Sequence, residues 1–447
     1  MPVDLVLHNA KIYTPKGLVE GGLAVNEGKI LRIAKETNLP NSSTRLNLKR
    51  STILPGLIDS HVHLRDQLLA YKEDFFSGTA AAAAGGVTLV MDMPNNNPVT
   101  MDSKSLRERI GLAETRVLVN VAFFSAFPEN LNEMRLIVKE GAVAFKLYLS
   151  EKIGGLNIND DKSLSHAFNK AMKMNVPVAV HAEDKDMLER GKEEMKRVGR
   201  DDVKAYTKVH SPHAEEEAIN RVTRLAGKSG AFIHFCHLSS LAGLQAFSTA
   251  KNTGLSVTCE VTPHHLLLSS KNLELHKTVA LTDPPLRSKR NVEALWKALK
   301  LGLIDTIASD HAPHTIEEKK TASVWDAKPG IPGLETTLPL LLTQVNEKRL
   351  TIQDVVRLTS EKPATIFHLR DKGKLKEGYC ADLVVVDMNQ KYKVDSSKFF
   401  SKAKYSPFDG WKVKGKPLKT FVNGQLVYDE GEIVAKPGTG QIVRCMK

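Results

Sequence analysis

Cysteine is scarce: four in 447 residues, Cys236, Cys259, Cys380 and Cys445, far apart and with no CxxC pair. That argues against a disulfide framework and suits a reduced, cytoplasmic protein. Long apolar runs are missing too. The longest small-apolar stretch, residues 80–90, is interrupted by Gly85-Gly86, which is too weak a pattern to span a bilayer. The opening MPVDLVLHN has neither a basic lead nor a long apolar core, so no signal peptide is expected. The 63 basic and 51 acidic residues leave a formal charge of +12, yet no dense basic run appears and the aromatics (6%) are not interleaved with one. Nucleic acid and membrane are therefore not the expected partners; the charge reads as a solvated surface that attracts small anionic metabolites.

What is present is a β-rich start, a β-rich end and a long alternating middle. Residues 5–13, 23–34 and 46–48 read as strands, as do 382–387 and 420–428, the last containing the hairpin pair Asn423-Gly424. Between them, strand-like apolar runs fall at 56–61, 87–92, 117–123, 143–147, 176–181, 232–237, 255–260 and 305–309, with helical stretches between most. No glycine-rich phosphate loop follows the first of these, which disfavours a doubly wound open sheet. The pattern predicts a (β/α)8 TIM barrel over 54–369 and a small β-sandwich domain assembled from both termini, 1–53 and 370–447.

In such barrels chemistry sits at the C-terminal ends of the strands. The run 53–58, read as one buried strand, delivers His61 and His63 on one side, since alternate strand residues share a face. The fourth strand carries Lys146, the fifth ends in His181, the sixth in His237 and the eighth in Asp310. Any one of them alone is better read as a satisfied core residue; together on one rim they predict a metal site. His234 faces the other way from His237, and His166, His210, His213, His264 and His265 have no evident partner. Four histidines, an aspartate and a buried lysine suit two cations rather than one, with the carbamate of Lys146 as an anionic bridge. Two Zn²⁺ ions there would hold a water as hydroxide near neutral pH and polarise a carbonyl, with Asp310 taking its proton and passing it to a leaving nitrogen. The implied reaction is hydrolysis of an amide, or its reverse. Arg65, Asn95 and His314, on the same rim, describe a pocket for a small acid.

The motifs HVHLRD (61–66), YKEDFFSGT (71–79), MPN (93–95), FKLYLS (145–150), VHAED (180–184), FCHLS (235–239), VTPHHL (261–266), DPPLR (283–287), SDHAPHT (309–315), PGLETTLPLLLT (332–343) and PFDGWKVKG (407–415) closely resemble the dihydroorotase family of the amidohydrolase superfamily, in its free-standing microbial form. The resemblance implies reversible cyclisation of N-carbamoyl-L-aspartate to L-dihydroorotate in de novo pyrimidine synthesis. It also implies two zincs bridged by carboxylated Lys146, carboxylate binding by Arg65, Asn95 and His314, and room for a homo-oligomer or association with another pyrimidine-pathway enzyme. Hydantoinases, dihydropyrimidinases and allantoinases share the ligands and remain alternatives, separated by Arg65; an inactive homologue would be expected to have lost ligands. The chain departs from the family at Gln67-Leu68-Leu69, where Pro-Gly is usual, and at Asp283, where relatives often carry Asn or Arg. Residues 150–159, with Gly154-Gly155, suggest a lid.

Overall fold

The computed structural model describes residues 2–444; Cys445 lies outside them. Two sheets organise the chain. The first takes strands β1 (Val3–Thr14), β2 (Gly17–Asn26), β3 (Lys29–Ala34), β4 (Ser42–Asn47) and β5 (Thr52–Pro55) from the N-terminal end. The second takes eight parallel strands: β6 (Leu57–Val62), β7 (Val87–Asp92), β8 (Asn120–Ala126), β9 (Ala142–Tyr148), β10 (Val178–His181), β11 (Ile233–Phe235), β12 (Val257–Val261) and β13 (Thr306–Ile307). The C-terminal strands β14 (Leu383–Lys393), β15 (Lys412–Val422), β16 (Gln425–Asp429) and β17 (Glu432–Ile433) return to the first sheet, where β14 pairs with β5. A β-bulge in β1 between Leu7 and Ala10 lets that strand pair with β4 along its first half and β5 along its second.

The parallel strands are buried on both faces, which is why they read as unbroken apolar runs. Their order is sequential, β6 to β13, and a parallel bridge between Val62 and His311 brings the last strand's exit back to the first. That closure sets Asp310 beside His61 and His63. Two outer helices start at side-chain caps: Asp74 opens Phe75–Ala84 and Asp102 opens Ser103–Glu114, each through a reciprocal capping box.

The single strand expected over 53–58 is in fact two. β5 lies in the terminal sheet and β6 in the barrel, with Gly56 as the switch. A side chain at Gly56 would collide with Thr88, its Cβ only 2.2 Å from Thr88 Cγ2, so the tight crossing needs glycine. The expected 23–34 strand is likewise a hairpin, turning at Glu27-Gly28, and 420–428 turns at Asn423-Gly424, where both residues have positive φ (48° and 79°) as a type I′ turn requires.

A buried ion pair fastens the sheet to the barrel. Lys372 Nζ lies 2.6 Å from Asp382 Oδ2, and Asp382 also accepts from Asn423 N (2.8 Å) and from the barrel residue Asn120 (3.3 Å). Removing one member of a buried pair strands the other charge, so Lys372→Ala is expected to cost about 3–5 kcal/mol. Urea denaturation would check it; a loss below about 1 kcal/mol, the range of exposed pairs, would mean that the pair is effectively solvated. Among the described residues no helix is long and apolar enough to cross a membrane.

Candidate metal and substrate site

Three of the four rim imidazoles are oriented by what the outer nitrogen touches. His61 Nδ1 bonds Glu260, at the end of β12, and Glu260 also takes His234 Nε2 at 3.2 Å. His63 Nδ1 meets Asn95 Oδ1 at 2.6 Å, and His181 Nε2 meets Glu183 Oε2 at 3.1 Å. An acceptor on the outer nitrogen places the proton there and leaves the inner nitrogen as a lone pair. The inner nitrogens converge: His61 Nε2 and His63 Nε2 each stand 3.4 Å from Asp310 Oδ1, and His181 Nδ1 stands 3.1 Å from His237 Nε2. His237 Nδ1 is buried with no hydrogen-bond partner.

Lone pairs and a carboxylate facing one another repel unless a cation lies among them, so the donor set fits a metal ion with N and O ligands. His61, His63 and Asp310 form one such buried group. Lys146 fits the same account. It is buried, its Nζ lies 3.4 Å from His61 Nε2 and 2.9 Å from Cys236 Sγ, and among the described residues no carboxylate lies within 4 Å of it. An interior ammonium without an anion is costly, whereas a carbamate facing cations is not.

The electrostatics follow from burial. His61 is pushed down to about 4 and His63 and His237 well below the ordinary imidazole range, by burial first and by neighbouring positive charge second. Burial pushes the Asp310 carboxyl well up. Burial also raises Asp59, to about 7; its carboxylate receives Ser309 N at 3.0 Å and so ties β6 to the Asp310 segment. Arg65, His237 and Asp310 all hold positive φ (56°, 34° and 48°), strained conformations that the surrounding contacts enforce.

A cavity of about 500 Å³ opens beside this cluster, lined by Arg65, Asn95 and His314 together with Tyr206, His210, Asp283 and Trp325. The three residues expected to bind a carboxylate thus share one cavity. Their hydrogen bonds separate them. Asn95 Oδ1 is committed to His63. His314 Nε2 lies 2.9 Å from Pro329 O and its Nδ1 3.2 Å from Lys72 Nζ, so the tautomer with Nε2–H satisfies both. Arg65 Nη2, 3.2 Å from that same donating nitrogen, gains no acceptor from it. Arg65 Nε donates to Pro313 O at 3.3 Å, which leaves the guanidinium edge for a ligand.

The Gln67-Leu68-Leu69 segment, whose sequence departs from the family's Pro-Gly, is a single 3-10 turn. The Gln67 side chain accepts from Asn96 Nδ2 (2.7 Å) and Arg109 Nη1 (3.0 Å), and Arg109 is itself paired with buried Asp92. Asp283 turns its Oδ1 to the Tyr206 hydroxyl and His210, so its charge has partners. In the suspected lid, Ser150 and Glu151 line the cavity while Leu156 and Ile158 are buried and Gly155 N bonds Phe127 O at 2.9 Å.

Glu260, Glu183 and His210 escaped the sequence reading. Glu260 had a usable signal, a carboxylate at the end of the seventh barrel strand; His210 had none, because its partner lies 27 residues away. His210 itself is lowered by burial but raised overall by the Glu183 and Asp283 carboxylates.

The amidohydrolase family model matches residues 52–427. The chain is 37% identical to the dihydroorotase of Methanothermobacter thermautotrophicus over 435 residues, covering 97% of this chain and 96% of that protein. It is 33% identical to the L-hydantoinase of Paenarthrobacter aurescens, covering 98% of each. Its fold superposes on the solved L-hydantoinase (dihydropyrimidinase) from Arthrobacter aurescens with a TM-score of 0.95 at 32% identity, covering 99% of this chain and 100% of that one. A barrel whose rim gathers four histidines, a lysine and an aspartate, matched over nearly its whole length, places the chain in the amidohydrolase family as a cyclic amidohydrolase.

Proposed function

We propose that the enzyme is a dihydroorotase, interconverting N-carbamoyl-L-aspartate and L-dihydroorotate in de novo pyrimidine synthesis, in the cytoplasm. The observation that carries this reading is Arg65: a buried guanidinium, lowered by burial, whose free edge faces the cavity that holds Asn95 and His314. A cation placed there at the cost of desolvation suits a substrate carboxylate, for which a neutral cyclic ureide has no use. The likeness to L-hydantoinases favours the second reading, hydrolysis of hydantoins on the same scaffold.

His61, His63, Lys146, His181, His237 and Asp310 are proposed to hold two Zn²⁺ ions, with Lys146 as the bridging carbamate: its neutral amine attacks CO₂, the N–C bond forms and one proton leaves. When bound, the metals supply positive charge that polarises a carbonyl and brings the ionisation of water close to neutral pH. Glu260 and Asn95 hold the His61 and His63 rings in the liganding tautomer. Arg65 fixes the substrate by its carboxylate. Asp310 accepts the proton of the attacking water and delivers it to the ring nitrogen as the amide opens; in cyclisation the proton runs the other way. Residues 54–369 are proposed as the catalytic domain and 1–53 with 370–447 as the small domain, β5 carrying the junction.

The test is turnover of dihydroorotate against hydantoin and allantoin, together with Arg65→Met. Loss of a charge-assisted bidentate contact is expected to lower kcat/KM for dihydroorotate by roughly 10²-fold or more, at about 1.5–3 kcal/mol per hydrogen bond to a charged group, while leaving any residual hydantoin turnover within a few-fold. Turnover of hydantoin or allantoin only would replace the first reading with the second.

A further inference from the structure

The contacts of His181 extend beyond the metal cluster. Its Nε2–H goes to Glu183, and Glu183, fully buried, offers both carboxylate oxygens to His210 Nδ1 at 3.1 and 3.2 Å. His210 follows the short helix Val203–Val209 and stacks on Tyr206, four residues earlier, with ring centroids 4.2 Å apart and planes at 17°. The stack fixes the ring, and a fixed ring fixes the direction of its N–H. On the cavity side the same nitrogen lies 3.6 Å from Asp283 Oδ1, the oxygen that also receives the Tyr206 hydroxyl. A continuous chain of polar contacts therefore runs from the cavity wall to a rim imidazole: Tyr206, Asp283, His210, Glu183, His181.

We infer that His210 is a positioning residue for the metal centre, which holds Glu183 so that Glu183 holds His181 Nδ1 toward the zinc pair. The inference rests on the metal reading above. Glu183 without His210 would be a buried carboxylate with half its partners, free to rotate or to admit water, and His181 would lose the acceptor that fixes its tautomer and tilt. Outer partners of this kind typically change metal affinity by 10–100-fold.

The experiment is competition for zinc between the full-length zinc-loaded protein and a chromophoric chelator. His210→Phe keeps the ring stacked on Tyr206 but has no N–H; His210→Gln restores a donor on a flexible chain. The phenylalanine variant is expected to surrender one of its zincs at roughly 10–100-fold lower chelator concentration, and the glutamine variant to recover most of that loss. Wild-type zinc retention in His210→Phe, or a glutamine variant no better than phenylalanine, would overturn the inference. Should His210→Phe not fold, Glu183→Gln puts the same question from the middle of the chain: it keeps the shape, loses the charge, and should weaken zinc over the same range, with wild-type affinity counting against us. A wild-type protein that takes up no zinc sinks the metal reading itself, whereas normal zinc in every variant sinks only the role of His210.

Discussion

Lys146→Ala is expected to leave a folded protein that keeps at most one zinc per chain and loses on the order of 10³–10⁴-fold in kcat, the several kcal/mol by which metal charge lowers a barrier of this type. Lys146 stands beside a rim imidazole. It occupies the end of β9, in register with Ala179 of β10, and the next inward residue, Tyr148, is in register with His181. Its Nζ reaches toward His61, and among the described residues no carboxylate lies within 4 Å of it. A structural lysine in such a place would need an anion, and a neutral amine has one lone pair, whereas a carbamate would offer two cations an oxygen each. Alanine leaves a void from Cγ to the carbamate carbon, so pentanoate, a five-carbon carboxylate of matching reach, is expected to restore part of the zinc and part of the activity. Elemental analysis and steady-state rates decide the matter, with circular dichroism to verify folding. Two zincs and full activity in Lys146→Ala would refute the carbamate.

The reason so much of this site is legible in the sequence is geometric. Parallel strands buried on both faces leave continuous apolar runs, and a barrel puts every C-terminal strand end on one rim, so reading the residue after each run is close to reading the site. The same property hides the boundary at Gly56. Strands β5 and β6 are both fully buried, in different sheets, so the apolar run passes through the junction without a polar break. Only the Pro55-Gly56 pair marks it. Glu260 is open to the same rim rule, since it stands where the apolar run 255–260 ends. Glu183 and His210 belong to another class. Their contact joins the end of β10 to the end of a surface helix, and nothing in local periodicity encodes which helix end folds back onto which strand. The substrate residues show a third limit. Sequence places Arg65, Asn95 and His314 on one rim but cannot tell that Asn95 is bonded to a ring nitrogen and His314 to a carbonyl, which leaves Arg65 as the uncommitted charge.

Asp310→Asn should separate proton transfer from metal binding. Asparagine keeps the size of the side chain and one oxygen toward His61 and His63, each 3.4 Å from the carboxylate, but it cannot take up a proton. The expected loss is about 10²–10⁴-fold in kcat with a small change in KM, the usual worth of a positioned acid or base. The direction of the pH dependence is the sharper test. In ring opening Asp310 must begin ionised to accept the proton of water, so kcat falls as pH drops through its pKa. In ring closure it must begin protonated to pass a proton back, so kcat falls as pH rises through the same group. One residue thus produces opposite limbs in the two directions of one reaction, and Asn at 310 should flatten both. Profiles of kcat measured from dihydroorotate and from N-carbamoyl-L-aspartate, in the wild type and the variant, would show it. Limbs of the same sign in both directions, or limbs that survive in Asp310→Asn, would assign the proton to another group; a buried carboxylate to try is Asp59, which touches the same segment through Ser309.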